Sequence, residues 1–187
     1  MKLGISLLLL ATAIPVLASA APATPVPPDK VVREFFTYLE ANDHSTVAGT
    51  DNHIVRPPDI GTDVAAQELW LTRELRESLR RANKYIRRHH PKSGGIPIGE
   101  FSSSDFRFAW DPPEKFEIRQ TTKATFTAIV AGRFIWGPKQ QYAGSVRNGY
   151  FILVFEDGAW RVSDIQADPY PFDQSESSLI RTLRFYQ

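Results

Sequence analysis

The order of patterns along this chain predicts an α+β domain, helices first and an antiparallel sheet after. Apolar residues recur at helical steps as far as Ile86, and from Phe116 onward they give way to β-rich runs. Asp157-Gly158, set between two apolar runs, is a two-residue hairpin signal. Strands in series with tight turns form a meander, and the preceding helices pack on one of its faces.

The elements follow in order. Asp29 is placed to cap a first helix, in which Val32, Phe35, Phe36 and Leu39 share one side and which Asn42-Asp43 ends. Residues 43–61, with two histidines, Pro57-Pro58 and Gly61, read as a loop. Thr62 or Asp63 can cap a short helix running through Trp70. Thr72 caps a longer one, whose Leu71, Leu75, Leu79, Ala82 and Ile86 form a single stripe, with Glu77 and Arg81 as an i,i+4 pair outside it. Pro91 and Gly94-Gly95 stop it.

The predicted strands are EKFEIRQ, KATFTAIVAGRFIW, GYFILVFE and AWRVSDIQ, the last with Trp160, Val162 and Asp164 on one face. A proline-broken loop, ADPYPFD, then leads to a terminal helix capped by Ser175, with Leu179, Leu183 and Phe185 as its apolar stripe.

The first 20 residues differ in character. Lys2 precedes an apolar stretch from Leu3 to Leu17, and Ala18-Ser19-Ala20 forms a small-x-small exit, the layout of a cleavable signal peptide. The stretch falls short of the roughly 20 residues a membrane-spanning helix needs. No later segment is apolar enough to span. Residues 21–28, APATPVPP, form a proline-rich linker, and residues 29–187 a single domain. Without Lys2 the 22 basic residues become one fewer and match the 21 acidic ones. Such a balance gives no general pull toward nucleic acid or membrane. Cysteine is absent, which excludes disulfides, thiolate metal sites and a lipid-carrying cysteine. The expected location is periplasmic or secreted.

The words VVREFFTYLE, LTRELRESLRRA, WDPPEKFEI, EDGAWRVSDI and SLIRTLRF together resemble a bacterial envelope family, domain of unknown function 3828, within the nuclear-transport-factor-2-like (cystatin-like) superfamily. The resemblance covers most of residues 30–187. It implies a strongly curved sheet wrapped around helices as a cone with a pocket at its open end. Members of the superfamily include enzymes, pocket binders and interaction modules, so the fold leaves function open. The resemblance brings no catalytic motif to positions in this chain.

Candidate residues follow from the patterns themselves. Asp164, on a face with Trp160 and Val162, would enter an apolar interior and could serve as general acid or base. Its structural alternative is an aspartate bonded to a backbone amide or an arginine. Asp105 has a weaker claim of the same kind and reads also as a turn residue. Tyr142 or Tyr150 would donate to developing negative charge. The aromatic set Phe126, Phe134, Trp136, Tyr142, Tyr150, Phe151, Phe155 and Trp160 reads mostly as core, with Trp136, Tyr142, Tyr150 and Trp160 as candidates for a pocket lining. Arg80, Arg81, Lys84, Arg87, Arg88 and Lys92 form a basic patch at the end of the long helix. They complement its dipole or contact an acidic partner or anionic headgroups. His44, His53, His89 and His90 lack metal-ligand spacing, so no metal is expected. No phosphate-binding loop, dinucleotide fingerprint or nucleophile elbow occurs, and no cofactor is expected.

Three functional expectations result. The first is a non-catalytic envelope protein that binds a partner protein or a small apolar ligand. The second is a small-molecule enzyme using Asp164 or Asp105. The third is an immunity or inhibitor protein against a periplasmic toxin. A homodimer through an exposed sheet face is the expected form of any self-association.

Overall fold

A computed structural model describes residues 24–42, 60–89, 106, 113–138, 143–168 and 177–185. Three helices, α1 (Pro28–Ala41), α2 (Val64–Trp70) and α3 (Arg73–His89), precede four long strands, β1 (Lys115–Lys123), β2 (Thr127–Ile135), β3 (Val146–Glu156) and β4 (Ala159–Ala167). A two-residue strand, β5 (Ser177–Ser178), and a short helix, α4 (Leu179–Phe185), follow. The sheet is antiparallel throughout, in chain order β1 to β5. The α+β architecture is therefore the one the patterns predict. None of the helices among the described residues is long and apolar enough to cross a membrane.

Helix α1 starts one residue before Asp29. Pro28 is its first residue and Pro27 its N-cap, without a side-chain cap bond. A proline at this position lacks only an N–H that would be orphaned anyway, and its fixed φ suits the first turn. Asp29 sits in that turn, where a negative charge meets the helix dipole favourably. Helix α2 is capped as expected, Asp63 Oδ1 accepting from Ala66 N at 3.0 Å. The start of α3 is capped twice. Thr72 Oγ1 accepts from Leu75 N at 3.3 Å, and the Glu156 carboxylate accepts from Arg73 N at 3.2 Å.

The helices lie on one face of the sheet. Phe35 and Phe36 of α1 meet Phe116, Phe134 and Phe151 in a cluster of rings, with Phe116 4.8 Å from Phe134 and 4.9 Å from Phe151 between centroids. Two paired glycines, Gly132 and Gly149, make room for it. A Cβ on Gly149 would stand 2.2 Å from the Phe134 ring, and one on Gly132 2.6 Å from Phe116. The concave face of the sheet is thus filled by phenylalanine. Leu75, Leu79, Ala82 and Ile86 of α3 are buried, as their spacing predicts.

The aromatic and strand expectations need three corrections. The run from Lys123 to Trp136 is not one strand. Lys123 closes β1, Thr125 and Phe126 form a two-residue loop closed by Ala124 N donating to Thr127 O, and β2 begins at Thr127. Phe126 consequently lies at the hairpin tip, 64% exposed and outside the core. At the other terminus Phe185 is 85% exposed, and only Leu179 and Leu183 of α4 are buried. Ser178 caps α4, its Oγ accepting from Arg181 N at 3.3 Å, and Ser175 lies outside the described residues. Pairing of residues 177 and 178 with Ala167 and Gln166 delays the helix until Leu179.

The outer edge of β4 is covered along its length. Leu71 bridges Val162, and Thr72 N donates to Val162 O at 3.0 Å. Arg161 Nη1 donates to Leu69 O, and β5 pairs further along. This removes a free edge that would otherwise template association.

Candidate functional site

Asp164 lies between the Leu71 bridge at Val162 and the β5 pairing at Gln166. A β-bulge changes which way it faces. Val162 stands opposite Leu153, Asp164 opposite Ile152 and Ile165 opposite Phe151, so Ser163 is the extra residue. Leu153 and Phe151 are fully buried, and Val162 and Ile165 share their side of the sheet. Asp164 is on the other side, with Ile152 and Gln166. The sequence expectation that it shares a face with Trp160 and Val162 assumes unbroken alternation, and the bulge breaks it.

The Asp164 carboxylate is nevertheless buried, at 7% exposure, because the C-terminal segment folds over it. Oδ1 accepts from Ile165 N at 2.9 Å and Ile180 N at 3.0 Å. Oδ2 accepts from Ser178 Oγ at 2.8 Å and Gln166 Nε2 at 2.9 Å. Two of these donors belong to β4 and two to the β5–α4 segment. The group is a clasp that fastens α4 to the sheet, with each oxygen held by two donors.

The proposed aromatic lining does not come together. Trp160 is level with Phe155 and hence with the β1–β2 hairpin, its ring 5.2 Å from Phe155 and 5.3 Å from Lys123 Nζ. Trp136 lies just beyond the opposite end of β2, ten residues from Phe126, or roughly 30 Å along an extended strand. Both tryptophans are buried. Tyr150 alternates with buried Gly149 and Phe151 and so points to the outer face of the sheet. Tyr142, Asp105 and Lys92 lie outside the described residues, as do His44, His53 and His90. His89 stacks on Tyr85 at 4.3 Å, and among the described residues no cluster of three or more metal-ligating side chains occurs.

The basic patch divides. At about 100° per residue, Arg73, Arg76, Arg80 and Arg87 fall within a stripe roughly 60° wide on α3. They line a cleft of about 510 Å³ between α3 and α2. Gly61, Thr62, Val64, Gln67 and Glu68 supply the facing wall, and Glu77, Leu79 and Asn83 complete the α3 side. Arg81, Lys84 and Arg88 are exposed on the neighbouring side of the helix and do not line it, and Arg81 pairs with Glu77 at 3.7 Å. Arg73 and Arg76 are members that the cluster at 80–92 leaves out. The signal for them was the 3, 4 and 7 spacing of four arginines, which repeats one helix face rather than one stretch of chain.

The cleft walls are fixed by side chains from both elements. Gln67 Nε2 donates to Ile60 O at 2.8 Å, and the nearly fully buried Asn83 donates to Gly61 O at 3.3 Å. Tyr38 Oη donates to Asp63 Oδ2 at 3.0 Å, tying the same turn to α1. Arg76 lines the cleft, and its Nε is buried with no hydrogen-bond partner among the described residues. Comparison with protein-family models, curated proteins and solved structures finds no match in any of the three.

Proposed function

We propose that this chain is an exported, non-catalytic binding protein of the bacterial envelope, and that its ligand or partner is held on the helical layer. The order charged start, apolar stretch and small-residue exit supports export. The observation that carries the binding reading is the separation of roles between two polar clusters. A general base must reach the proton it removes. Asp164 would have to give up Ser178 and Ile180, and with them the seat of α4, to do so. Arg73, Arg76, Arg80 and Arg87 of α3, by contrast, line an accessible cleft.

The test is to express the full chain in a bacterium and fractionate the cells. The soluble periplasmic fraction should contain a protein whose intact mass begins at Ala21. The purified product should then raise its melting temperature with compounds it binds and return them chemically unchanged. Full-length mass retained in the membrane would refute export. Turnover of a bound compound, lost in a folded Asp164→Asn variant, would refute the non-catalytic reading.

A further inference from the structure

Charge on this molecule is concentrated on one element. The whole chain carries 22 basic and 21 acidic residues, yet α3 alone has seven arginines and lysines against two glutamates. Exposed cations near a helix C-terminus are explained by the dipole, which acts within the last turn. That account covers Arg87 and Arg88. It does not reach Arg73, at the very start of the helix, nor Arg76 and Arg80.

All four cations lining the α2–α3 cleft are arginines, with no lysine among them. A guanidinium presents a planar fork that matches phosphate or carboxylate oxygens pairwise, where an ammonium offers a point charge. Two carboxylates also line the cleft, Glu68 and Glu77. Glu77 is engaged by Arg81 from outside, and Glu68 stands 3.7 Å from Arg76 Nη1 with its side chain 66% exposed. Arg73 is likewise engaged from outside, by Asp157 at 3.8 Å, so the lining retains an excess of two positive charges. Arg76, one of the four, also has a buried, unpartnered Nε. A buried N–H left without an acceptor is costly, and a guanidinium that turns toward an entering oxyanion relieves that cost. Val64 gives the same cleft an exposed apolar side chain, and its volume is that of small-molecule sites.

We infer that the α2–α3 cleft binds a small organic dianion, its oxyanion group seated between Arg76 and Arg80 and its apolar part against Val64. A phosphate monoester carries about the charge the lining lacks, and either a free metabolite or a lipid headgroup can present one. On entry the oxyanion displaces Glu68 from Arg76, and the glutamate turns to solvent. The inference rests on the binding reading above and specifies its site and ligand chemistry.

The experiment uses the mature protein with inorganic phosphate, phenyl phosphate, and phosphatidylcholine vesicles with and without phosphatidic acid. Affinities are read by calorimetry for the soluble anions and by co-sedimentation for the vesicles. Phenyl phosphate should bind several-fold tighter than inorganic phosphate, and its affinity should fall with added salt. Arg76→Gln with Arg80→Gln should weaken it at least roughly 30-fold, the loss expected for charge-assisted bonds. Lys84→Gln with Arg88→Gln removes the same charge outside the cleft and should change affinity less than about 3-fold. Glu68→Gln should strengthen binding. Should the Arg76 double variant fail to fold, Arg80→Gln alone, at an exposed position, gives the same reading.

Binding in solution identifies a free anion. Binding only on phosphatidic acid vesicles, lost in the same double variant, identifies a headgroup, and both results uphold the site. Equal losses in the two double variants would mean diffuse charge and overturn it. So would the absence of binding to every probe. That failure leaves the broader binding reading standing on other surfaces, whereas turnover dependent on Asp164 would remove both.

Discussion

Two polar clusters flank strand β4, and they differ in how completely their hydrogen bonds are met. At Asp164, two carboxylate oxygens receive four donors from two chain segments. In the α2–α3 cleft, Arg76 keeps a buried donor with no acceptor among the described residues. Buried polar groups in folded proteins are ordinarily satisfied, so the first arrangement reads as architecture and the second as capacity. The comparison teaches that burial alone does not mark a functional residue. A buried acid can be wholly occupied in holding the fold together, while a partly exposed base keeps something in reserve.

The largest effect that would test this comparison is at the clasp. Asp164→Ala should lower unfolding free energy by about 3 kcal/mol, because buried donors on Ser178 and Ile180 lose their acceptor. Urea denaturation should show a lower midpoint at unchanged slope. A loss below about 0.5 kcal/mol, the range of neutral surface changes, would undo the structural role assigned to Asp164. A double-mutant cycle between Asp164→Ala and Ser178→Ala should give a coupling of about 1 kcal/mol, as expected for residues in one network. Additive single effects would mean that Ser178 acts only as the cap of α4. Thr72→Ala should lose about 1 kcal/mol through its cap on α3. The smallest effect is expected in the cleft. Arg76→Met, which keeps the apolar stem and removes the unpartnered donor, should stay within about 0.5 kcal/mol of the parent. A loss well beyond that would show Arg76 to be as structural as Asp164, and the contrast would fail.

How far the sequence carried the reading depends on the range of the cause. The stripe of α3 and the caps at Asp63 and Thr72 were legible, since spacing and capping act within a few residues. The Asp157-Gly158 turn was legible for the same reason. Both residues have positive φ, 52° and 79°, a conformation that Asp and Gly tolerate and bulkier residues resist. The hairpin at Thr125-Phe126 was hidden, because neither residue punctuates a chain and both favour strands. The bulge at Ser163 was hidden too, since only pairing with β3 reveals which residue is extra. Of the candidate residues, Arg80 and Arg87 reached the cleft. Arg73 and Arg76 join them only when α3 is read as a cylinder and α2 supplies the opposing wall. The aromatic set Trp136, Tyr150 and Trp160 looked coherent as composition, but register places its members at opposite ends and on opposite faces of the sheet.

The Ser163 bulge has a consequence for changes in chain length. Ser163 and Asp164 both stand opposite Ile152, so one of the two is surplus to the alternation of β4. Removing Ser163 would leave Val162 and Ile165 inward and Asp164 outward, forfeiting mainly local twist and the Ser163 hydroxyl's bond to Ile152 O. Removing Gln166, three residues on, would turn Ala167 outward and carry the β5 pairing out of phase. Strand β4 therefore contains one position where the chain can shorten without inverting its faces, immediately beside the residue that anchors its C-terminal helix.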